Sequence, residues 1–397
     1  MENCALSFET YIAKPFYKHL CKSRYLQIEE INIMSTSLPD QQQFISKEEE
    51  DCLQAIQFAT STVLPFALKT AIDLDLLEII AKAGPGCTLS PAEIVSNLPA
   101  KNPDAPAIID RILRVLTAHS ILACHLVTDK DGHTKRTYGL ASIGRYFLQN
   151  EDGISVTPFL NMTLDKRLID SWNFFKEATL EGGLSIVKGF GMNLFEMAAK
   201  DNNFFNTFNQ AMSNHTNIVM KKILEIYKGF EGVSQVVDVG GGLGTNLKLI
   251  VSKYPQIKGI NFDLPLVVKD APNFPAGVEH VGGDMFTQVP HGEVIFMKWV
   301  LHDWGDDQCL KLLKNCYDAI SESGKVIILE SILPELPMTD LVTTTTLNLD
   351  LGLVHLLPGA KERTKKEFET LARDAGFPTL KLVCRAYNYW VIELSKL

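Results

Sequence analysis

The chain has 397 residues, 46% of them hydrophobic and 21% charged, with a net charge of −9 at pH 7 and a pI near 5.6. That length allows two or three domains with well-filled cores. The acidic balance argues against a nucleic-acid surface, because phosphate binding needs a positive field, and no apolar run approaches the roughly eighteen residues that suggest a membrane span.

Residues 1–40 stand apart. Lys14, Lys18, Lys22 and Arg24 are mixed with aromatics, but Glu2, Glu9, Glu29 and Glu30 flank them. Without an uninterrupted apolar core, and with those acids, the segment reads as neither a secretory signal nor a transit peptide. It is expected to be a mobile extension, with Met34 near the start of the globular pattern. The eight cysteines (Cys4, Cys21, Cys52, Cys87, Cys124, Cys309, Cys316 and Cys384) are scattered, with no C-x-x-C pair and no His/Cys cluster. They read as reduced thiols of a cytoplasmic protein, and no structural zinc is expected.

Residues 41–150 are predicted to form a mostly helical unit. Helical spacing runs from Lys47 to Ala83 with a break at Pro65. Ser90-Pro91-Ala92-Glu93 is a capping box with proline at the first helical position. A further helix is expected over Ala107–His119. Ile121–Val127 and Lys135–Leu140 then read as strands about the turn Asp129–Gly132. Helices followed by a hairpin describe a winged helix. Such units often bind DNA, but the hairpin is mixed in charge and the chain acidic. Dimerisation is the better reading, with the surplus apolar helices buried against a second copy.

Residues 151–230 read as a helical, aromatic-rich linker. Most of its aromatics are expected in the core, and a few on an apolar pocket for a flat ligand. From 231 to 397 strand and helix alternate, as a doubly wound α/β sheet requires. Strands are predicted at Val236–Val239, Ile260–Asp263, Val278–Val281, Val294–Met297, Lys325–Glu330, Thr379–Cys384 and Tyr389–Glu393, the last two forming an antiparallel hairpin at the edge.

The first of these strands runs Val236-Val237-Asp238-Val239 into Gly240-Gly241-Gly242-Leu243-Gly244. A strand turning sharply into a helix through glycines lets a ligand lie against the backbone. Asp263, about twenty residues on, is placed for a ribose diol. The dinucleotide fingerprint would want glycine where Thr245 stands. The spacing D-x-G-x-G-x-G instead resembles that of S-adenosylmethionine-binding proteins, whose ligand has no pyrophosphate. Ligands of open α/β sheets sit outside the carboxyl ends of the strands, a rule that gathers Gly240, Asp263, Asp284, the run Lys298–His302, and Glu330. A methyl acceptor such as a phenol, with a pKa of about 10, attacks poorly until deprotonated. His302 is suited to that work, and Glu330 and Glu362 are candidates to orient it. An aromatic amine could attack without so strong a base, so an N-methyltransferase on this scaffold is the alternative. A catalytically silent binder would more simply have lost the loop or the base.

In the motifs VVDVGGGLG, GINFDLP, GVEHVGGDMF, FMKWVLHDW and GAKERT, taken in order, the chain from about residue 50 onward resembles the plant caffeic acid O-methyltransferase-type family. The resemblance implies an S-adenosylmethionine-dependent, metal-independent homodimer that methylates a small aromatic hydroxyl of a phenylpropanoid, flavonoid or coumarin. It implies cofactor contacts at Gly240, Asp263, Asp284, Met285 and Lys298, and His302 as base beside Glu330 and Glu362. Substrate positions fall at Met162, Phe204, Phe208, Met212, His215, Leu353 and Leu357. Caffeic-acid-type members carry asparagine near Thr163 and at Leu357, and Ile-Met at Gly352-Leu353. Those departures point to a bulkier or less hydroxylated acceptor.

Overall fold

The computed structural model describes residues 45–269, 271, 272, 274 and 277–397; the extension expected over residues 1–40 lies outside them. The chain divides into two compact units between Leu148 and Gln149. Segments 151–230 and 231–397, expected as separate, belong to one unit.

The first unit contains α1 (Lys47–Ala59), α2 (Val63–Asp73), α3 (Leu76–Lys82), α4 (Pro91–Val95), α5 (Ala105–Ala118), β1 (Leu122–Thr128) and β2 (Thr134–Leu140). This is the helices-then-hairpin order read from the sequence. Ser46 with Glu49 and Ser90 with Glu93 form full capping boxes. The helical break falls at residues 60–62 and not at Pro65. Pro65 is the third residue of α2, where its missing N–H would have no intrahelical partner, so it is tolerated. Leu76, Leu77, Ile80, Ile94, Leu113 and Leu116 form the core, and β2 docks on it through Tyr138, whose hydroxyl donates to Asp110 at 2.7 Å. No residue of α1 is buried, and Leu53, Ile56, Phe58 and, on α2, Phe66 are all at least half exposed.

The second unit opens with helices: α6 (Thr157–Thr163), α7 (Lys166–Ser171), α8 (Phe175–Glu181), α9 (Ser185–Phe190), α10 (Leu194–Lys200) and the long α11 (Asn202–Ile226). Alternation follows through β3 (Gln235–Val239), α12 (Thr245–Lys253), β4 (Lys258–Asp263), α13 (Pro265–Val268), β5 (Val278–Gly282), β6 (Gly292–Lys298), α14 (Asp306–Ala319), β7 (Ile320–Leu333), α15 (Leu341–Val354), β8 (Arg363–Thr364), α16 (Lys365–Asp374), β9 (Thr379–Ala386) and β10 (Tyr389–Ser395). The strand order is β5-β4-β3-β6-β7-β10-β9, with β8 paired to β7. Strands β3 to β7 run parallel; β10 is antiparallel to both β7 and β9. The strands expected from the sequence are present, most of them longer by one to a few residues, and β8 is an addition.

Period-two alternation sorts the sheet into two cores. Val237, Val239, Ile295, Met297, Val326 and Ile328 face α14 and α16. Val236, Val294, Phe296, Ile327, Leu329 and Val391 face α11 and α12. The chain leaves β3 outward to β4 and β5, then returns to the other side of β3 at β6. Such a reversal opens a crevice at the strands' carboxyl ends, where ligands of doubly wound sheets bind. Among the described residues no single helix is long and apolar enough to cross a membrane.

Candidate active site

Gly240 directly follows β3 with φ +67°, and a Cβ there would lie 2.8 Å from Val300 Cγ2. Only glycine lets the β3 exit pack against the turn that follows β6. Gly242, at φ +56°, has no heavy atom within 4 Å of where its Cβ would be, so the loop presents bare backbone to open space. Asp263 at the tip of β4 accepts the Gly242 N–H at 2.8 Å and the Leu264 N–H at 2.7 Å. Burial pushes its pKa up against those two hydrogen bonds. Asp284, after β5, accepts the Phe286 N–H and the Thr287 hydroxyl, each at 2.9 Å, and Met285 follows it. Gly240, Gly242, Asp263, Asp284, Met285 and Lys298 all line one cavity of about 820 Å³. That size is towards the upper end for a small-molecule site and leaves room for a nucleoside and a second, flat molecule.

Lys298, the last residue of β6, is buried. Its Nζ sits 4.2 Å from the Trp299 ring centroid and 3.3 Å from His215 Nδ1. Burial outweighs the attraction of Glu330, Asp238 and Asp303, and brings its pKa down to about 7. Trp299 has φ +57°, a left-handed conformation costly for an aromatic residue, and it lines the cavity.

The turn after β6 carries His302, 7% exposed on the cavity wall. Its Nδ1 lies 3.0 Å from Glu362 Oε1 and 3.7 Å from Glu330 Oε2, and its Nε2 lies 3.5 Å from Asp303 Oδ1. Glu330 Oε1 accepts the N–H groups of Val300 and Leu301, both at 2.9 Å, which fastens the turn to β7. From the other side Arg363 donates to the carbonyls of Leu301 and Trp304, each at 2.7 Å. Burial alone would push His302 down, but the carboxylates of Glu330, Glu362 and Asp303 carry its pKa up to about 10. Desolvation raises Glu330 to about 7 and Asp303 to about 6.

Of the expected acceptor positions, Met162, Phe208, Met212, Leu353 and Leu357 line the cavity, as do Thr163 and Gly352. Phe204 does not. It is buried with Leu168 and Leu194, its ring under Arg167 at 4.9 Å, and Phe205 faces the cavity instead. The lining positions of α11 are 205, 208, 209, 212, 213 and 216, one helical stripe, and Phe204 lies about 40° outside its edge. His215 is also absent from the wall. It stacks on Trp299 at 4.0 Å and meets the Tyr389 hydroxyl at 3.1 Å, so it supports the wall from behind. Asp303 and Arg363 were missed as site residues although they lie in FMKWVLHDW and GAKERT, and Trp299, inside the run Lys298–His302, was given no role; no sequence signal marks a left-handed backbone.

The O-methyltransferase domain family matches residues 172–378, and the O-methyltransferase dimerisation domain family matches residues 56–150. A caffeic acid 3-O-methyltransferase of Catharanthus roseus is 54% identical over 364 residues, covering 91% of this chain and all of the relative. One from Populus kitakamiensis is 56% identical over 349 residues, 88% of this chain and 95% of its own length. The chain belongs to the O-methyltransferase family. It is an S-adenosylmethionine-dependent enzyme by that membership, with a Rossmann-like catalytic fold and a helical dimerisation domain. Its fold is shared by human N-acetylserotonin methyltransferase in complex with S-adenosylmethionine (TM-score 0.75, 21% identity, 89% of this chain and 99% of that one).

The residues present fit that cofactor. The open backbone at Gly242 admits a ligand, and Asp263, Asp284 and the buried Asp238 favour a cationic nucleoside while repelling a pyrophosphate. The carboxylate coupling is testable without turnover. Glu330→Gln keeps an oxygen for the two N–H donors but removes a charge, so the His302 midpoint should fall by about one unit or more in an imidazole 15N NMR titration. An unmoved midpoint would mean that the carboxylates do not set the basicity of His302.

Proposed function

We propose that the enzyme transfers the methyl group of S-adenosylmethionine to a hydroxyl of a plant phenolic, a phenylpropanoid, flavonoid or coumarin, with His302 as general base. The observation that carries this reading is a buried imidazole on the wall of the cofactor cavity, backed by three carboxylates. The cofactor supplies an electrophilic methyl on a sulfonium. Gly240, Asp263, Asp284, Met285 and Lys298 would hold it. Glu362 engages Nδ1 of His302, which leaves Nε2 for the acceptor hydroxyl. With a His302 pKa of about 10, the proton passes between partners of nearly equal basicity, because an ordinary phenol also has a pKa of about 10. Buried carboxylates then stabilise the imidazolium that results. N-methylation of an aromatic amine is not favoured, since that reaction has less need of such a base.

His302, Glu330 and Glu362 also lie close enough together to hold a cation. We infer that they work without a metal, as the resemblance implies; Glu330 Oε2 and Glu362 Oε2 have no partner among the described residues, so a chelator tests this directly. The free thiols of Cys52, Cys124, Cys309, Cys316 and Cys384 suit the cytoplasm. The primary test is transfer of labelled methyl to a panel of phenolics with and without EDTA. Chelator-resistant O-methylation is expected, whereas transfer only to amines or loss with EDTA would overturn the reading. His302→Ala should lower kcat by about 10²–10⁴-fold with little change in cofactor affinity. An electron-poor phenol with a pKa of about 7 should suffer far less, because it ionises unaided. Equal losses for both acceptors would make His302 structural.

Substrate preference follows from the acceptor end. Leu357 is buried and offers no hydrogen bond, Gly352 leaves open space, and the Thr163 hydroxyl is committed to the Leu160 carbonyl at 3.0 Å. At Leu357 a polar ring substituent finds no partner, and beside Gly352 a larger ring finds room. Leu357→Asn should raise kcat/KM for a 5-hydroxylated phenylpropanoid by about tenfold or more. No gain would remove Leu357 from the specificity argument.

We further propose a homodimer, with the exposed apolar residues of α1 and α2 covered by a second copy. Sedimentation should give twice the chain mass, and Phe66→Glu combined with Ile56→Glu should shift it towards the monomer. A monomeric wild-type protein at micromolar concentration would refute the proposal.

A further inference from the structure

Asn246 is the second residue of α12, directly behind the glycine loop, and it lines the cavity at 6% exposure. Its NH₂ group is held by Asp238, 3.2 and 3.4 Å from the two carboxylate oxygens. Rotating the amide by half a turn would set its carbonyl oxygen against that carboxylate, so Asp238 fixes the orientation. The result is a buried carbonyl oxygen with no partner among the described residues. A buried acceptor left unpaired is costly, and in a residue that lines the cavity it points to a ligand donor that a small side-chain shift would admit.

The donor's identity follows from placement and charge. Asp263 and Asp284 stand at the ends of β4 and β5, progressively farther out along the sheet from β3. They provide for the ribose and the base, so Asn246, beside the exit of β3, meets the opposite end of the cofactor. Behind its amide lies Asp238, fully buried; burial raises its pKa to about 7, and an adjacent cation would hold it ionised, which favours a cationic donor over a hydroxyl.

We propose that Asn246 Oδ1 accepts a hydrogen bond from the α-ammonium group of the cofactor's methionine portion, with Asp238 as the buried counter-charge. This rests on the cofactor reading above. Asn246 is then a binding residue that acts before any chemistry, and its amide links the ligand's cation to Asp238.

The experiment is calorimetric. S-adenosylhomocysteine and its desamino analogue, which lacks only the α-amino group, are titrated into the wild-type enzyme, Asn246→Leu and Asn246→Val. In the wild type, removing the amino group should weaken binding by about 10- to 100-fold, the range for a hydrogen bond to a charged group. In either variant the same removal should cost less than about threefold, since the acceptor is already gone. The same large ratio in wild type and variants would overturn the role of Asn246. Equal affinity of the wild type for both ligands would overturn it without recourse to a variant. Failure of the wild type to bind S-adenosylhomocysteine at all would overturn the cofactor reading itself, a result distinct from the other two.

Discussion

The arrangement of the site depends on one buried carboxylate. Glu330 lies on β7 directly after its ladder with β6, and its Oε1 accepts the N–H groups of Val300 and Leu301 in the turn that leaves β6. An ionised carboxylate excluded from water is unfavourable unless it is hydrogen-bonded and faces opposite charge. Here the two backbone donors and the His302 imidazolium provide for it together. Taking the carboxylate away would strand two buried N–H groups and release the turn that carries the base. Turn geometry and base strength therefore share a side chain, the first through one carboxylate oxygen and the second through its charge.

The second constraint is the close approach between β3 and β6. Gly240 lies directly against Val300, so the loop that receives the cofactor and the turn that carries His302 touch at a point where no side chain fits. Lys298 and Trp299 occupy the neighbouring positions, the lysine over the indole face and the indole stacked on His215. The left-handed backbone at Trp299 is the local strain that this junction stores. It is held by the sheet on one side and by Arg363 on the other, which grips the Leu301 and Trp304 carbonyls.

Much of this was legible in the chain because sheets announce themselves by short β-branched runs and the switch-point rule then collects their ends. Gly240, Asp263, Asp284, Lys298 and His302 needed no coordinates to be placed on one edge. What escaped was whatever depends on a rotation about a helix axis or on a single dihedral. Phe204 and Phe205 are adjacent aromatics, and only the packing of α11 on its neighbours decides which one faces the cavity. His215 lies at the margin of the same stripe, and Tyr389, distant in sequence, draws it behind the wall. Pro65 misled for another reason: proline breaks a helix interior but is neutral in a first turn, and the true break at residues 60–62 carries no comparable signal. Asn246 looked like an ordinary helix residue because its role is set by Asp238, eight positions earlier on a strand.

The carboxylates of this cavity act in two senses at once. As a set they make a dry, negative enclosure that favours a cationic donor and disfavours phosphate. They also hold His302 protonated at neutral pH, which at first sight weakens a general base. The two effects are reconciled by the acceptor. A base far weaker than the phenolate could not hold the proton, and the cost of a strong one is that it must first release its own proton at neutral pH. With both near 10, the neutral pair of phenol and imidazole and the charged pair of phenolate and imidazolium lie close in energy. The facing charges of Glu330 and Glu362, already contained in that value, hold the imidazolium against the burial that opposes it and so keep the charged pair, which contains the nucleophile, within reach. An acceptor without an acidic proton would gain nothing from this arrangement, so the charge distribution that admits the cofactor also selects oxygen over nitrogen.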